Sequence, residues 1–265
     1  MPSSTSVNRR RRGFAAIIAF VLAVAGIVLA IDFVITGAPP TRASTEAVFR
    51  VEGLGCKQKP TRTVGTVVSE PLYSAGQLVL TVAHGVVGQD SVVALDGDRR
   101  VPLQIVAVDT EWDLAVLQAS SPLLAENGLP IGPVPVAESR AGRASFVVFE
   151  EVSDTREMQV VRPAYVTRRL RINTEDIYLA DLHDRDPRPG LEVRTATYVG
   201  DSGGPLFNPN GELIGLVWGT SRKTAERSWA TRVQAANALI ESARLSGDDN
   251  SNTKEVALRL LACAP

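Results

Sequence analysis

The sequence predicts an all-β domain built in two halves, and three observations carry that prediction. Short runs of Val, Ile, Leu and Thr recur between Gly, Pro, Asn and Asp turn signals, and long helical periods are scarce. Strands at such spacing make a barrel or a sandwich. The stretch at 123–143 is rich in Gly and Pro and reads as the connection between the halves. His84 and Asp113 precede it and Ser202 follows it, so a cleft between the halves is where these three side chains would meet.

The chain opens with Arg9-Arg10-Arg11-Arg12, followed by an uncharged, mostly apolar run at 14–31, which Asp32 interrupts before Phe33-Val34-Ile35. As a helix, residues 14–35 would span about 30 Å, the thickness of a hydrocarbon core. Basic flanks stay cytoplasmic, so residues 1–13 are expected inside the cell and everything beyond the span outside it. The reading adopted is a retained signal anchor, because no clean small-residue cleavage site follows the run. A cleaved signal peptide, with Thr41-Arg42-Ala43 as its site, and a buried helix are the alternatives. Residues 36–47 form the expected linker, with Pro, Gly, Ser and Thr concentrated at 37–44. Residues 48–265 form the exported domain.

Within that domain the first group of strands is expected at 64–69, 78–83, 91–95, 101–108 and 114–118, with Asp96-Gly97-Asp98 as a hairpin turn. The second group is expected at 145–149, 159–166, 177–182, 191–196 and 213–217. Asn208-Pro209-Asn210-Gly211 marks a tight turn before the last of these. One helix is expected near the end. Thr231 and Gln234 form a candidate capping box, Val233, Ala236, Asn237, Ile240 and Ala243 follow at helical spacing, and Gly247 stops it. A polar loop at 247–253 and a last helical turn at 256–261 complete the chain.

Composition removes several classes of function. The 28 basic and 29 acidic residues leave a net charge of −1, and basic residues cluster only at the N-terminus. No nucleic-acid partner is implied. No cofactor motif is present. No metal is expected either, since only His84 and His183 could serve and neither has ligand spacing. The two cysteines, Cys56 and Cys263, lie near the two ends of the exported part, where an oxidising compartment permits a disulfide. Such a bridge would close a loop of about 200 residues and constrain the unfolded chain by several kcal/mol. Two unpaired thiols are the alternative.

The residue types around Ser202 suit acyl transfer. A serine hydroxyl is a weak nucleophile until a base within hydrogen-bond reach removes its proton. His84, at the end of an apolar run, can take that proton and later deliver it to a leaving amine. A carboxylate must hold the imidazole in the right tautomer, and Asp113, opening the run Leu114-Ala115-Val116, is the candidate. In Gly200-Asp201-Ser202-Gly203-Gly204-Pro205 the backbone N–H groups of Gly200 and Ser202 can converge on a developing oxyanion, worth several kcal/mol in the transition state. His183, in a charged segment, reads as a solvated loop residue.

The order His84, Asp113, Ser202, with Gly-Asp-Ser-Gly-Gly-Pro around the serine, resembles the trypsin/chymotrypsin clan of serine proteases over 48–245. Gly215-Leu216-Val217-Trp218-Gly219 resembles the strand that lines the clan's substrate cleft. Gly65-Thr66-Val67-Val68 and Asp113-Leu114-Ala115-Val116-Leu117 are similar to bacterial HtrA/Deg-like members. The apolar anchor, Val51-Glu52-Gly53 with Cys56, and the late Cys263 resemble membrane-anchored acid-resistance proteases of actinobacteria. The resemblance implies two six-stranded antiparallel β-barrels with a C-terminal helix, preceded by one transmembrane helix.

It also implies a substrate pocket at Ala196, Val217, Trp218, Gly219 and Ser228. Alanine at position 196 disfavours Lys and Arg, so small or medium uncharged side chains are expected there. The sequence departs from the animal pattern at Gly85 and Tyr198, where cysteines are absent, and it lacks the Ile-Val-Gly-Gly start that pairs with the residue at Asp201. Arg50-Val51-Glu52-Gly53 is a faint look-alike for an activation site, and local hydrogen bonds of Asp201 are the other way to brace the oxyanion loop. The expected activity is that of a serine endopeptidase tethered to the cell membrane, facing the periplasm or the exterior and acting on protein or peptide substrates. A latent or non-catalytic protease-fold sensor and an esterase with the same triad are the alternatives.

Overall fold

The computed structural model describes residues 41–55, 60–69, 76–153, 156–173, 187–221 and 223–245. Among them run strands β1 (Val48–Leu54), β2 (Thr61–Ser69), β3 (Leu78–Thr81), β4 (Ser91–Asp96), β5 (Arg99–Asp109) and β6 (Leu114–Ala119). A second set follows: β7 (Gly142–Ser153), β8 (Arg156–Ile172), β9 (Arg188–Arg194), β10 (Pro205–Phe207), β11 (Leu213–Thr220) and β12 (Arg227–Arg232). Each set pairs antiparallel and closes on itself, in the orders β1-β2-β3-β6-β5-β4 and β10-β11-β12-β9-β8-β7. Closure comes from Arg50 opposite Leu95 in the first barrel and Leu206 opposite Phe146 in the second.

The two-residue period of the strands divides side chains between two cores. On β7, Phe146 and Val148 face the core of the second barrel, while Val147 between them joins the first-barrel cluster. Leu206 and Ile214 point into the second barrel, whereas Phe207, Leu213 and Leu216 face the first. The barrels therefore share an apolar seam, where full burial of each such side chain contributes about 1.5–3 kcal/mol. Helix α1 (Arg42–Glu46) leads into β1, and helix α2 (Asn237–Leu245) packs Ile240 and Ala243 onto the first-barrel cluster.

Several expectations need correction. The linker does not extend unstructured to Ser44. Thr41 caps α1 by accepting the Ser44 N–H, and the buried Ser44 hydroxyl donates to the Gly211 carbonyl. Strand β1 was not anticipated, and Arg50-Val51-Glu52-Gly53 lies inside it. The β7–β8 hairpin extends well beyond 145–149 and 159–166, because its outer arms are polar and held by cross-strand pairing rather than by a core. The capping box does not form. The Thr231 hydroxyl donates to the Trp112 carbonyl at 3.3 Å, the Gln234 amide donates to the Ala137 carbonyl, and a 3₁₀ turn (Val233–Ala236) precedes α2.

The transmembrane helix at 14–35, the cysteines Cys56 and Cys263, the strand at 177–182, His183 and everything beyond residue 245 lie outside the described residues. Among the described residues no helix is long and apolar enough to cross a membrane.

Candidate active site

His84 and Asp113 come from the first barrel. Strand β3 ends at Thr81, and a 3₁₀ turn (Ala83–Gly85) carries His84 out of it, leaving the imidazole 30% exposed. Asp113 precedes β6 in the left-handed region, with φ of 57°, a conformation in which Asp is more at home than most residues. That conformation lets the residue bond twice to the turn. Asp113 Oδ1 accepts the His84 backbone N–H at 2.8 Å, and Oδ2 lies 2.7 Å from Nδ1 of the ring. The Ala83 N–H donates to the Asp113 carbonyl as well. Burial pushes the Asp113 carboxyl up, but the hydrogen bonds and charge of His84, with Arg188 beside it, outweigh burial and hold it below the usual carboxylate range.

Ser202 comes from the second barrel, in the turn before β10. Its carbonyl accepts the Val64 N–H at 2.8 Å and the Thr63 hydroxyl, both from β2. A Cβ built on Gly85 would meet the Thr63 side chain at 2.8 Å, so Thr63 lies between the His84 turn and the Ser202 turn. The Gly203 N–H donates to the Val217 carbonyl, and the Val217 N–H donates to the Gly204 carbonyl. Gly203 has φ of 81°, and a Cβ there would stand 2.1 Å from the Val64 carbonyl oxygen, so glycine is required.

Gly200 also takes a positive φ, 95°. Among the described residues, no protein acceptor takes the N–H of Gly200 or of Ser202. Two arginines brace this turn from behind. Arg50 on β1 donates to the Gly200 carbonyl at 2.6 Å and to Glu157 at 2.7 Å. Arg162 on β8 pairs with Asp201 Oδ2, which also accepts the Tyr198 N–H at 2.8 Å.

The expected pocket residues gather along β11, β12 and the segment before the serine turn. Ser228 is fully buried and its hydroxyl donates to the Thr195 carbonyl, 2.7 Å from the Thr197 hydroxyl. Ala196 sits between those threonines, with its carbonyl accepting from Arg162. Val217 is buried in the second core, Trp218 is half-buried, and a Cβ on Gly219 would meet open space. Thr63, Arg162 and Arg188 were not singled out from sequence, and Arg50 was read only as part of an activation-site look-alike. For Arg188 a signal existed: Pro187 and Pro189 flank it and impose an extended backbone.

Fold and site together define a two-barrel arrangement, with His84 and Asp113 on the first barrel and Ser202 on the second. The chain belongs to the trypsin-like peptidase domain family, which matches residues 64–216. Serine protease Rv3671c of Mycobacterium tuberculosis is 29% identical over 193 residues, covering 71% of this chain and 44% of that protein. A probable periplasmic DegP-like serine endoprotease of Halomonas elongata is 28% identical over 153 residues, covering 57% of this chain and 28% of that protein. The chain thus spans less than half the length of these relatives. The crystal structure of Rv3671c protease from M. tuberculosis, active form, matches with a TM-score of 0.65 at 22% identity, over 86% of this chain and 94% of that one. The serine endoprotease from Yersinia pestis matches at 0.55 and 20% identity, over 77% and 64%. At these identities the two structures establish the shared fold.

Proposed function

We propose that this chain is a membrane-anchored serine endopeptidase of the cell envelope, with His84, Asp113 and Ser202 as its triad. The observation that carries the reading is the buried Asp113 carboxylate on Nδ1 of His84 at 2.7 Å. With Nδ1 engaged, Nε2 is the nitrogen that acts as base. Nε2 takes the Ser202 proton as Oγ attacks the scissile carbonyl carbon. The resulting oxyanion receives the N–H groups of Gly200 and Ser202. The imidazolium, stabilised by Asp113, then protonates the leaving amine and leaves an acyl-enzyme, which water attacks by the same route in reverse. Ala196, Val217, Trp218, Gly219 and Ser228 form the pocket for the residue before the scissile bond, suited to small or medium uncharged side chains. Residues 14–35 tether the domain outside the cytoplasmic membrane, and Cys56 and Cys263 are bridged there.

A second reading, a latent protease-fold sensor, is favoured by one observation. Among the described residues no hydrogen bond joins the Ser202 hydroxyl to His84. Such bonds are often loose without substrate and tighten in the complex. The full-length protein in detergent, incubated with casein beside Ser202→Ala, tests the two readings. New peptide termini produced by the wild type alone support the endopeptidase. An intact substrate with a folded wild type supports the sensor.

A further inference from the structure

The Asp113 carboxylate has a second cationic neighbour. Arg188, the first residue of β9, is only 3% exposed, and its Nη1 lies 3.6 Å from Asp113 Oδ2. That is ion-pair range rather than hydrogen-bond range. The guanidinium carbon sits 4.7 Å from the centroid of the Trp218 ring. Pro187 and Pro189 restrict the backbone on both sides, and Arg188 pairs with Ile172 on β8. The cation is thus held between an aromatic face on β11 and the carboxylate that orients His84.

Resting on the triad reading above, we propose that Arg188 is a positioning residue which shares the Asp113 carboxylate with the imidazole and extends hydrolysis to lower pH. The imidazole passes between two charge states. With the imidazole neutral, the buried Asp113 charge needs a cation, and Arg188 supplies one. With the imidazole protonated, Arg188 and the imidazolium compete for one carboxylate and repel each other. Arg188 therefore favours the neutral base that must accept the Ser202 proton. Among the described residues, His84 from the 3₁₀ turn and Arg188 from β9 act on the carboxylate, and β11 sets the uncharged Trp218 ring against Arg188. A strand-end arginine with a purely structural task has no reason to move with the titration of the site.

The test is the rate of fluorophosphonate labelling of the full-length protein across pH, which needs no knowledge of the natural substrate. Wild type, Arg188→Met and Arg188→Lys are compared. Arg188→Met should move the acid limb up by about one pH unit, with the alkaline plateau kept within about tenfold. Arg188→Lys should stay near the wild-type limb. Coincident limbs for wild type and Arg188→Met overturn the proposal. A wild type that never labels overturns the triad reading itself, and the proposal with it. Should Arg188→Met fail to fold, the double variant with Asp113→Asn decides. Recovered folding shows the two charges coupled, and a double variant no more stable than Arg188→Met overturns the pairing.

Discussion

Arg162 Nη1 lies 2.5 Å from Asp201 Oδ2, so the residue just before Ser202 is held by a side chain of β8. The same guanidinium pairs with Glu150 and stacks on the Tyr198 ring at 4.8 Å. Asp201 is 3% exposed, and losing its partner leaves a buried carboxylate uncompensated. Arg162→Met should cost about 3 kcal/mol of stability and slow fluorophosphonate labelling about 10- to 100-fold. Arg162→Lys should recover part of the rate. Urea unfolding and labelling kinetics measured side by side check both effects, and a fully active Arg162→Met contradicts the bracing role.

Gly203 is the tightest point of the serine turn. With φ of 81° and the Val64 carbonyl oxygen occupying the space a methyl group would need, the turn has no room for a side chain. Gly203→Ala should destabilise the fold by about 3 kcal/mol or more, through strain and a forced shift of β2. Gly219→Ala, at a site where a Cβ meets nothing within 4 Å, is the control and should unfold near the wild-type midpoint. Thermal or urea denaturation of the pair separates the two.

Asp113 carries a pH dependence whose sign follows from its lowered carboxyl. A group held below its unfolded value, about 3.9, stabilises the fold above that value and loses this contribution as pH falls through its folded value. The stability gap between wild type and Asp113→Asn should be widest near neutrality and shrink below about pH 4. Labelling of Asp113→Asn near neutral pH should fall by about 10⁴-fold, since the amide selects the wrong imidazole tautomer. Chemical denaturation at stepped pH tests the first statement, and probe kinetics test the second.

The specificity reading also has a direct check. A carboxylate at the pocket base would attract a basic side chain, so Ala196→Asp should gain cleavage after Lys or Arg in a peptide library. The wild type should cleave after small or medium uncharged residues. Equal cleavage after Lys by both proteins would remove Ala196 from the pocket.

The parts of this molecule that were legible in sequence are those with strong local signals. The Asp96-Gly97-Asp98 turn joins β4 and β5, and Gly211, with φ of 78°, closes the turn before β11. His84 and Asp113 stand at the edges of apolar runs and are joined in space. The bracing residues gave no such signal. Arg50 lies in a strand whose residues are nearly all buried, so β1 shows no alternation that separates a core position from a buried arginine. The arms of the β7–β8 hairpin beyond the core carry charges on both faces, so they show no apolar alternation, and only their pairing with each other across the hairpin identifies them. Thr231 and Gln234 match a helix-capping pattern, yet tertiary partners at Trp112 and Ala137 take their side chains.

Labelling of the purified full-length protein with a serine-reactive fluorophosphonate, beside Ser202→Ala, asks whether Ser202 is the nucleophile. The wild type should carry a single adduct on Ser202 and the variant none, because only a serine served by the His84–Asp113 pair attacks the phosphorus. A folded wild type that takes no label, or a Ser202→Ala protein that labels as well as the wild type, contradicts that role for Ser202.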